Sequence, residues 1–111
     1  MIFEPGDIVR APFPHVERPV LVPRPALVVT AVPIGPDGLL LWALMITNAA
    51  RPAWPGDIDI PDASALGLLI PSKIRTAKIA AIETATATHI VRLDARTMER
   101  VAEQLRFNLG F

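Results

Sequence analysis

The sequence predicts a small, strongly curved antiparallel β-sheet or barrel closed by one C-terminal helix. Three observations carry that prediction. Twelve prolines run from Pro5 to Pro71 and none follows, which excludes long helices from the first two thirds of the chain. Between the prolines lie short apolar runs rich in branched residues, each of strand length. After Leu93 the apolar spacing changes from that of a strand to that of a helix.

Taken in order, the strand-sized segments are residues 7–11, 26–34, 39–47, 57–60, 68–70, 73–82 and 88–93. Pro36-Asp37-Gly38 separates the second from the third and reads as a turn, since glycine supplies the positive φ that tight turns need. Segments 26–34 and 39–47 are apolar at nearly every position, so both are expected to be central strands covered on two faces, with Trp42 in the core. Asp94 is a good helix N-cap. Met98, Val101, Ala102 and Leu105 follow at i, i+3, i+4 and i+7, with Arg96, Glu99, Arg100, Glu103 and Arg106 on the other face. Gly110 stands where the helix is expected to stop.

The 111 residues suit one domain, and no linker or repeat divides them. With 51% hydrophobic and 20% charged residues, the chain has enough apolar surface to build a core, which argues against intrinsic disorder. The lack of cysteine removes disulfides, thiolate metal sites and a cysteine nucleophile together, and fits a reducing compartment. Residues 1–10 lack the basic start and apolar stretch of a signal peptide. The longest nearly uncharged apolar run, residues 39–50, falls well short of the ~20 residues that span a bilayer. A cytoplasmic protein with no membrane partner is the expectation.

The chain contains no phosphate-binding glycine loop, dinucleotide fingerprint, zincin motif or hydrolase elbow. His15 and His89 are too far apart to suggest a metal site, and no cofactor is implied. What remains is a set of cations beside a few hydroxyls. Arg24 directly precedes an apolar strand, which places its head at the mouth of the barrel, and Thr47 ends another. Lys73 and Arg75, two apart on a strand, share a face, and Ile74 between them points to the core. The 11 basic and 11 acidic residues cancel in sum but not in place: residues 63–81 hold three cations and no acid, while Asp57, Asp59 and Asp62 cluster just before them. A polyanion answers to the local field of a cleft rather than to the molecular sum. Trp54, between Pro52 and Pro55, is read as a packing or contact residue, and His89 as structural.

Gly6-Asp7-Ile8-Val9, Arg24-Pro25-Ala26-Leu27-Val28-Val29, Ile46-Thr47 and Lys73-Ile74-Arg75-Thr76 occur in an order and spacing that, with the closing amphipathic helix, resembles the PemK/MazF family of toxin endoribonucleases over nearly the whole chain. The resemblance implies an SH3-like barrel of the CcdB/MazF type that forms a homodimer. It implies metal-independent cleavage of single-stranded RNA, as messenger RNA, through the ribose 2′-hydroxyl. It also implies a cognate antitoxin whose acidic C-terminal tail occupies the RNA groove. By position, Arg24 and Thr47 form the catalytic centre with Arg75 as a phosphate clamp, while His15, Arg18 and Lys73 border the RNA. Where relatives carry Asp-Gln, this chain has Ser72-Lys73, so an aspartate base is absent there. His15, whose ordinary pKa of ~6.5 suits proton transfer, is the candidate base, with Lys73 a weaker one. The missing acid keeps a second reading open: a non-catalytic barrel of the same fold that acts by binding protein, as an inactive toxin relative or a gyrase-type poison.

Overall fold

A computed structural model describes residues 2–14 and 19–111. Six strands and one helix follow in order: β1 (Asp7–Pro14), β2 (Leu21–Val28), β3 (Leu40–Asn48), β4 (Asp57–Asp59), β5 (Ser72–Glu83), β6 (Thr88–Arg92) and α1 (Ala95–Leu109). All pairings are antiparallel, and the sheet order is β4-β5-β3-β2-β1-β6. In a flat sheet β5 and β1 would lie three spacings apart, about 14 Å. Their Cα atoms instead approach within 8 Å, so the sheet is strongly coiled. It does not close into a ring of hydrogen bonds; β4 and β6 remain its edges.

The two faces of the sheet bury different cores. Ile8, Leu27, Leu44, Ile46, Ile58 and Ile74 face Leu93 and Val101, with Met98 and Leu105 of the helix packed alongside. Val9, Ala11, Phe13, Ala26, Val28, Ala43 and Met45 fill the other side. The helix begins as its sequence predicts: the Asp94 side chain accepts from the Thr97 amide (2.9 Å) and from the Thr97 hydroxyl. It ends at Gly110, whose φ of 79° lets its N–H turn back to Arg106 and Phe107. Among the described residues no helix is long and apolar enough to cross a membrane.

Three expectations are corrected. Residues 68–70 are not a strand. Gly67, at φ 83°, and Pro71 hem them in, and only Leu68 is buried while Leu69 is 93% exposed. Trp42 is not core but 46% exposed, beside Ile79 at 52%, because at this end only the opposite face of β3 and β5 is covered, where Leu41, Ala43 and Ile82 are buried. The second strand begins five residues earlier than its apolar run and ends at Val28, so Arg24 lies inside it rather than before it.

Pro23 and Pro25 explain how that last strand can exist. The Val29 N–H donates to the Trp42 carbonyl (2.9 Å), and residues two apart along a strand point their backbone groups the same way. The backbone faces of residues 27, 25 and 23 are therefore turned toward β3. Prolines occupy the last two of these and have no N–H to give. Pairing of β2 with β3 stops at Ala26↔Met45, while pairing with β1 runs on to Pro14↔Leu21. From Pro25 onward β2 and β3 part, leaving a seam.

Candidate active site

Arg24 pairs with Ala11 across β1, and Thr47 stands two residues beyond Met45 on β3. Both therefore project on the Ala11/Met45 face of the sheet. They meet at the seam, where a cavity of about 290 Å³ is lined by Arg24 and Pro25 on one side and Ile46, Thr47 and Asn48 on the other. Arg10, Ser72, Ile90 and residues 67–70 complete the wall. Thr47 is buried and Arg24 half-buried. The Arg24 Nε is fully buried and has no hydrogen-bond partner among the described residues. Burial, and then the charge of Arg51, push the Arg24 pKa down from its ordinary value. A buried donor without a partner is costly and rare in folded proteins, and here it belongs to a charged group at a cavity wall.

Lys73 and Arg75 share the same face, as their spacing predicts, and Ile74 between them is fully buried in the opposite core. Their heads do not enter the cavity. The Arg75 Nε and one terminal nitrogen donate to the two carboxylate oxygens of Asp57 (3.1 and 3.0 Å), and Lys73 Nζ lies 3.2 Å from the same carboxylate. Asp57 pairs across β4 with Arg75, so a strand edge brings the acid between two cations. For Asp57 this corrects the expectation that the aspartates lie apart from the basic segment. Burial by itself would raise the Asp57 pKa. Hydrogen bonds from Arg75, the Trp54 amide and Lys73, with the charge of Arg75, outweigh it and hold the carboxyl below the ordinary range.

The same two cations fasten the loop between β3 and β4. Lys73 Nζ donates to the Arg51 carbonyl and Arg75 to the Pro52 carbonyl, each at 2.7 Å. The Arg75 guanidinium lies 4.2 Å from the centre of the Trp54 ring, which gives that tryptophan the packing role its sequence context suggests. Gly56 completes the seat: any Cβ there would come within 2.7 Å of the Thr76 hydroxyl, which donates to the Gly56 carbonyl.

His15 and Arg18 lie outside the described residues. The other four candidates thus divide into two at the cavity, Arg24 and Thr47, and two beneath the neighbouring loop, Lys73 and Arg75. His89 has the structural place expected of it, 3.3 Å from Asp7 at the β1–β6 edge. Sequence reasoning missed Arg10, Asn48 and Ser72 as lining residues, and it missed Arg51. No pattern in the chain sets a loop arginine apart; only its proximity to Arg24 does so.

Residues 4–109 match the family described as the PemK-like, MazF-like toxin of type II toxin–antitoxin systems. None of the curated proteins compared matches the chain. Among solved structures, a MazF crystal structure (form I) from Deinococcus radiodurans is similar with a TM-score of 0.77 at 19% identity, over 100% of this chain and 99% of that one. A MazE–MazF structure (form II) from the same organism gives 0.76 at 19%, over 100% and 98%. An endoribonuclease in complex with its cognate antitoxin, from a mycobacterial species, gives 0.73 at 14%, over 99% and 97%. At these identities the structural likeness establishes the fold, a mainly antiparallel sheet with a C-terminal helix of the MazF type. The family match, covering all but five residues, establishes membership: the chain belongs to the PemK-like, MazF-like toxins of type II toxin–antitoxin systems.

Proposed function

We propose that this toxin is an endoribonuclease that cuts single-stranded RNA through the ribose 2′-hydroxyl, without a metal ion, at the Arg24–Thr47 cavity. The observation that carries the proposal is the buried, unpartnered Nε of Arg24, a residue that lines the cavity together with Thr47. In such a reaction the 2′-oxygen attacks phosphorus, the bond from phosphorus to the 5′-oxygen breaks, and the leaving oxygen takes a proton. The products carry a cyclic phosphate and a 5′-hydroxyl. Charge builds on the non-bridging oxygens as the bonds exchange, and donors fixed beforehand lower that barrier. Arg24 supplies a forked donor whose charge is permanent, and Thr47 a hydroxyl that donates to a phosphate oxygen or orients the nucleophile. His15 remains the proposed base. Lys73 and Arg75 serve the site by holding the adjoining loop instead of gripping phosphate.

A cognate antitoxin with an acidic tail is the proposed protein partner, in keeping with the antitoxin bound to the mycobacterial neighbour. The proposed homodimer has a candidate face in Trp42 and Ile79, exposed diagonal neighbours on β3 and β5. One observation favours the non-catalytic alternative: no carboxylate or histidine lines the cavity among the described residues.

Incubating the purified protein with a long single-stranded RNA in EDTA separates the two readings. The expected result is fragments with cyclic phosphate and 5′-hydroxyl ends. Arg24→Ala is expected to lower the cleavage rate by about 10²–10³-fold, the range for losing one preorganised charge-stabilising donor, with an unchanged circular dichroism spectrum. Intact RNA across neutral pH, or an Arg24→Ala protein that cuts normally, overturns the assignment.

A further inference from the structure

The cavity at the seam is bordered from both faces of one sheet. Arg24 and Thr47 belong to the Ala11/Met45 face. The next lining residues, Pro25 and Ile46, alternate to the other face, where Ile46 is buried in the core that the helix covers. Asn48 and its cross-strand partner Ser72 continue that second face, and Leu68 and Ile90 pack on the same core. A space with walls on both faces of a sheet lies in the gap between its strands. Here the gap is the stretch where Pro25 and Pro23 part β2 from β3, so the cavity is a slot between two strands rather than a hollow on one face.

The two sides of the slot differ in chemistry. Arg24 and Thr47 supply donors on one. On the other, residues 67–70 hold large aliphatic side chains at the rim, with Leu69 93% and Ile70 46% exposed. The segment that carries them is fixed along its length. The Leu68 and Gly67 amides donate to the Ala63 and Ser64 carbonyls (3.0 and 3.2 Å), the Ser72 hydroxyl to the Ile70 carbonyl (2.8 Å), and the Ala49 amide to the Pro71 carbonyl (2.9 Å). The edge of the slot offers both kinds of hydrogen-bonding group. Pro25 stands across from Ile46, one step past the Ala26↔Met45 pair, and has no N–H for the Ile46 carbonyl. The Asn48 Oδ1 accepts from the Ala50 N–H (2.8 Å), which leaves the side-chain nitrogen to donate elsewhere. An apolar wall edged by an acceptor and a donor does not suit phosphate, which has only acceptors, or ribose, which has no flat apolar face. A nucleobase has both an apolar face and a mixed edge.

We propose that the slot takes one unstacked base of the RNA. The base enters between β2 and β3, its face against Leu69 and Ile70 and its edge at the Ile46 carbonyl and the Asn48 amide, while the adjoining phosphate stays with Arg24 and Thr47. This rests on the RNA reading given above and assigns the part of that substrate which the cations do not hold. With the base on one side of the sheet and the phosphate on the other, the ribose between them is held in the gap, where its 2′-oxygen must be aligned.

The test compares two fully 2′-deoxy single strands of equal length, which cannot be cut through a 2′-hydroxyl: one of mixed base sequence and one abasic throughout. Wild type is expected to bind the base-bearing strand more tightly. Leu69→Ser/Ile70→Ala strips the wall but keeps the backbone bonds that fix the segment. It is expected to bind the base-bearing strand about tenfold more weakly, the worth of covering part of two aliphatic side chains. Its affinity for the abasic strand and its salt slope with either strand stay at the wild-type values, since no phosphate contact is lost. Equal weakening on both strands, none on either, or no wild-type preference between them would overturn the inference while leaving cleavage at Arg24 standing. A second readout locates the base. A base-bearing 2′-deoxy trinucleotide is expected to shift the methyl resonances of Ile46 and Ile90 by its ring current, and an abasic one is not. A response at the Arg24 Nε–Hε alone, with those methyls unmoved, refutes the slot. Where wild type cuts RNA but holds neither deoxy strand, the KM of the variant for RNA decides: a rise of about tenfold sustains the slot, and an unchanged value refutes it. Should wild type bind neither strand nor cut RNA, the RNA reading falls and the slot falls with it.

Discussion

The cations of this sheet sit in two regions with opposite electrostatic conditions. Lys73 and Arg75 are nearly inaccessible, share a carboxylate, and hold backbone carbonyls and an aromatic ring. Arg24, at the cavity, makes no ion pair among the described residues, and its Nε is buried without a hydrogen-bond partner among them. The same residue types thus stand in one protein both with their charge matched and with it unmatched. A cation whose field is cancelled locally fixes the chain, whereas one left uncancelled at a cavity wall is available to an outside anion. Composition, with its balance of 11 and 11, is blind to this division.

The comparison breaks most visibly if the shared acid is removed. Asp57→Ala leaves two buried cations without a counter-charge, and a loss of about 3–5 kcal/mol in urea unfolding is expected. A loss below about 1 kcal/mol would mean that water already screens the cluster. The same group sets an acid limit. Its folded pKa is depressed, so the stability it contributes is fully present above the unfolded value of ~3.9 and disappears as pH falls through the lower folded value. Urea midpoints measured downward from pH 6 should therefore fall more steeply in wild type than in Asp57→Asn, and parallel curves would contradict the assignment.

The unpartnered Arg24 predicts an effect of opposite sign. Arg24→Met removes a half-buried charge without a partner among the described residues and should raise stability by up to about 1 kcal/mol after allowance for solvent screening, while slowing cleavage as much as Arg24→Ala does. Added phosphate should shrink the gap by stabilising the wild type alone. A destabilised Arg24→Met protein would show that the arginine serves packing instead. The smallest effect is expected at the seam. Pro25→Ala restores an N–H opposite β3, trading about 0.4–1 kcal/mol of chain stiffness for one hydrogen bond of similar worth. Stability should barely move, the new amide should resist exchange, and cleavage should slow as the cavity narrows. An unprotected amide there would show that something other than proline holds the strands apart.

Much of this was legible in the chain. The helix, its Asp94 cap and Gly110 stop, and the burial of Ile74 between Lys73 and Arg75 follow from periodicity and local chemistry. An ordered set of short motifs singles out Arg24 and Thr47, and both line one cavity in the structure. Other features depend on what a neighbouring strand contributes, which local pattern does not encode. The i, i+2 rule puts Lys73 and Arg75 on one face but cannot show that Asp57, eighteen residues before Arg75, comes to meet them. The apolar run around Trp42 does not reveal where the covering core ends. The prolines at 23 and 25 read as reasons to start the strand later, yet both turn their missing donors toward the one side where no partner is wanted.

Those two prolines also bear on kinetics. A site closed by ordinary strand pairing would have to rupture backbone bonds before admitting a ligand, and its association rate would follow the frequency of that rupture. Here the donor was never synthesised, so the entrance stands ajar at every temperature and pH at which the sheet survives, and an arriving chain has no backbone hydrogen bond from Pro23 or Pro25 to break. Encounter should then be set by diffusion and by the field of the arginines that line the cavity, Arg10 and Arg24, not by a gate.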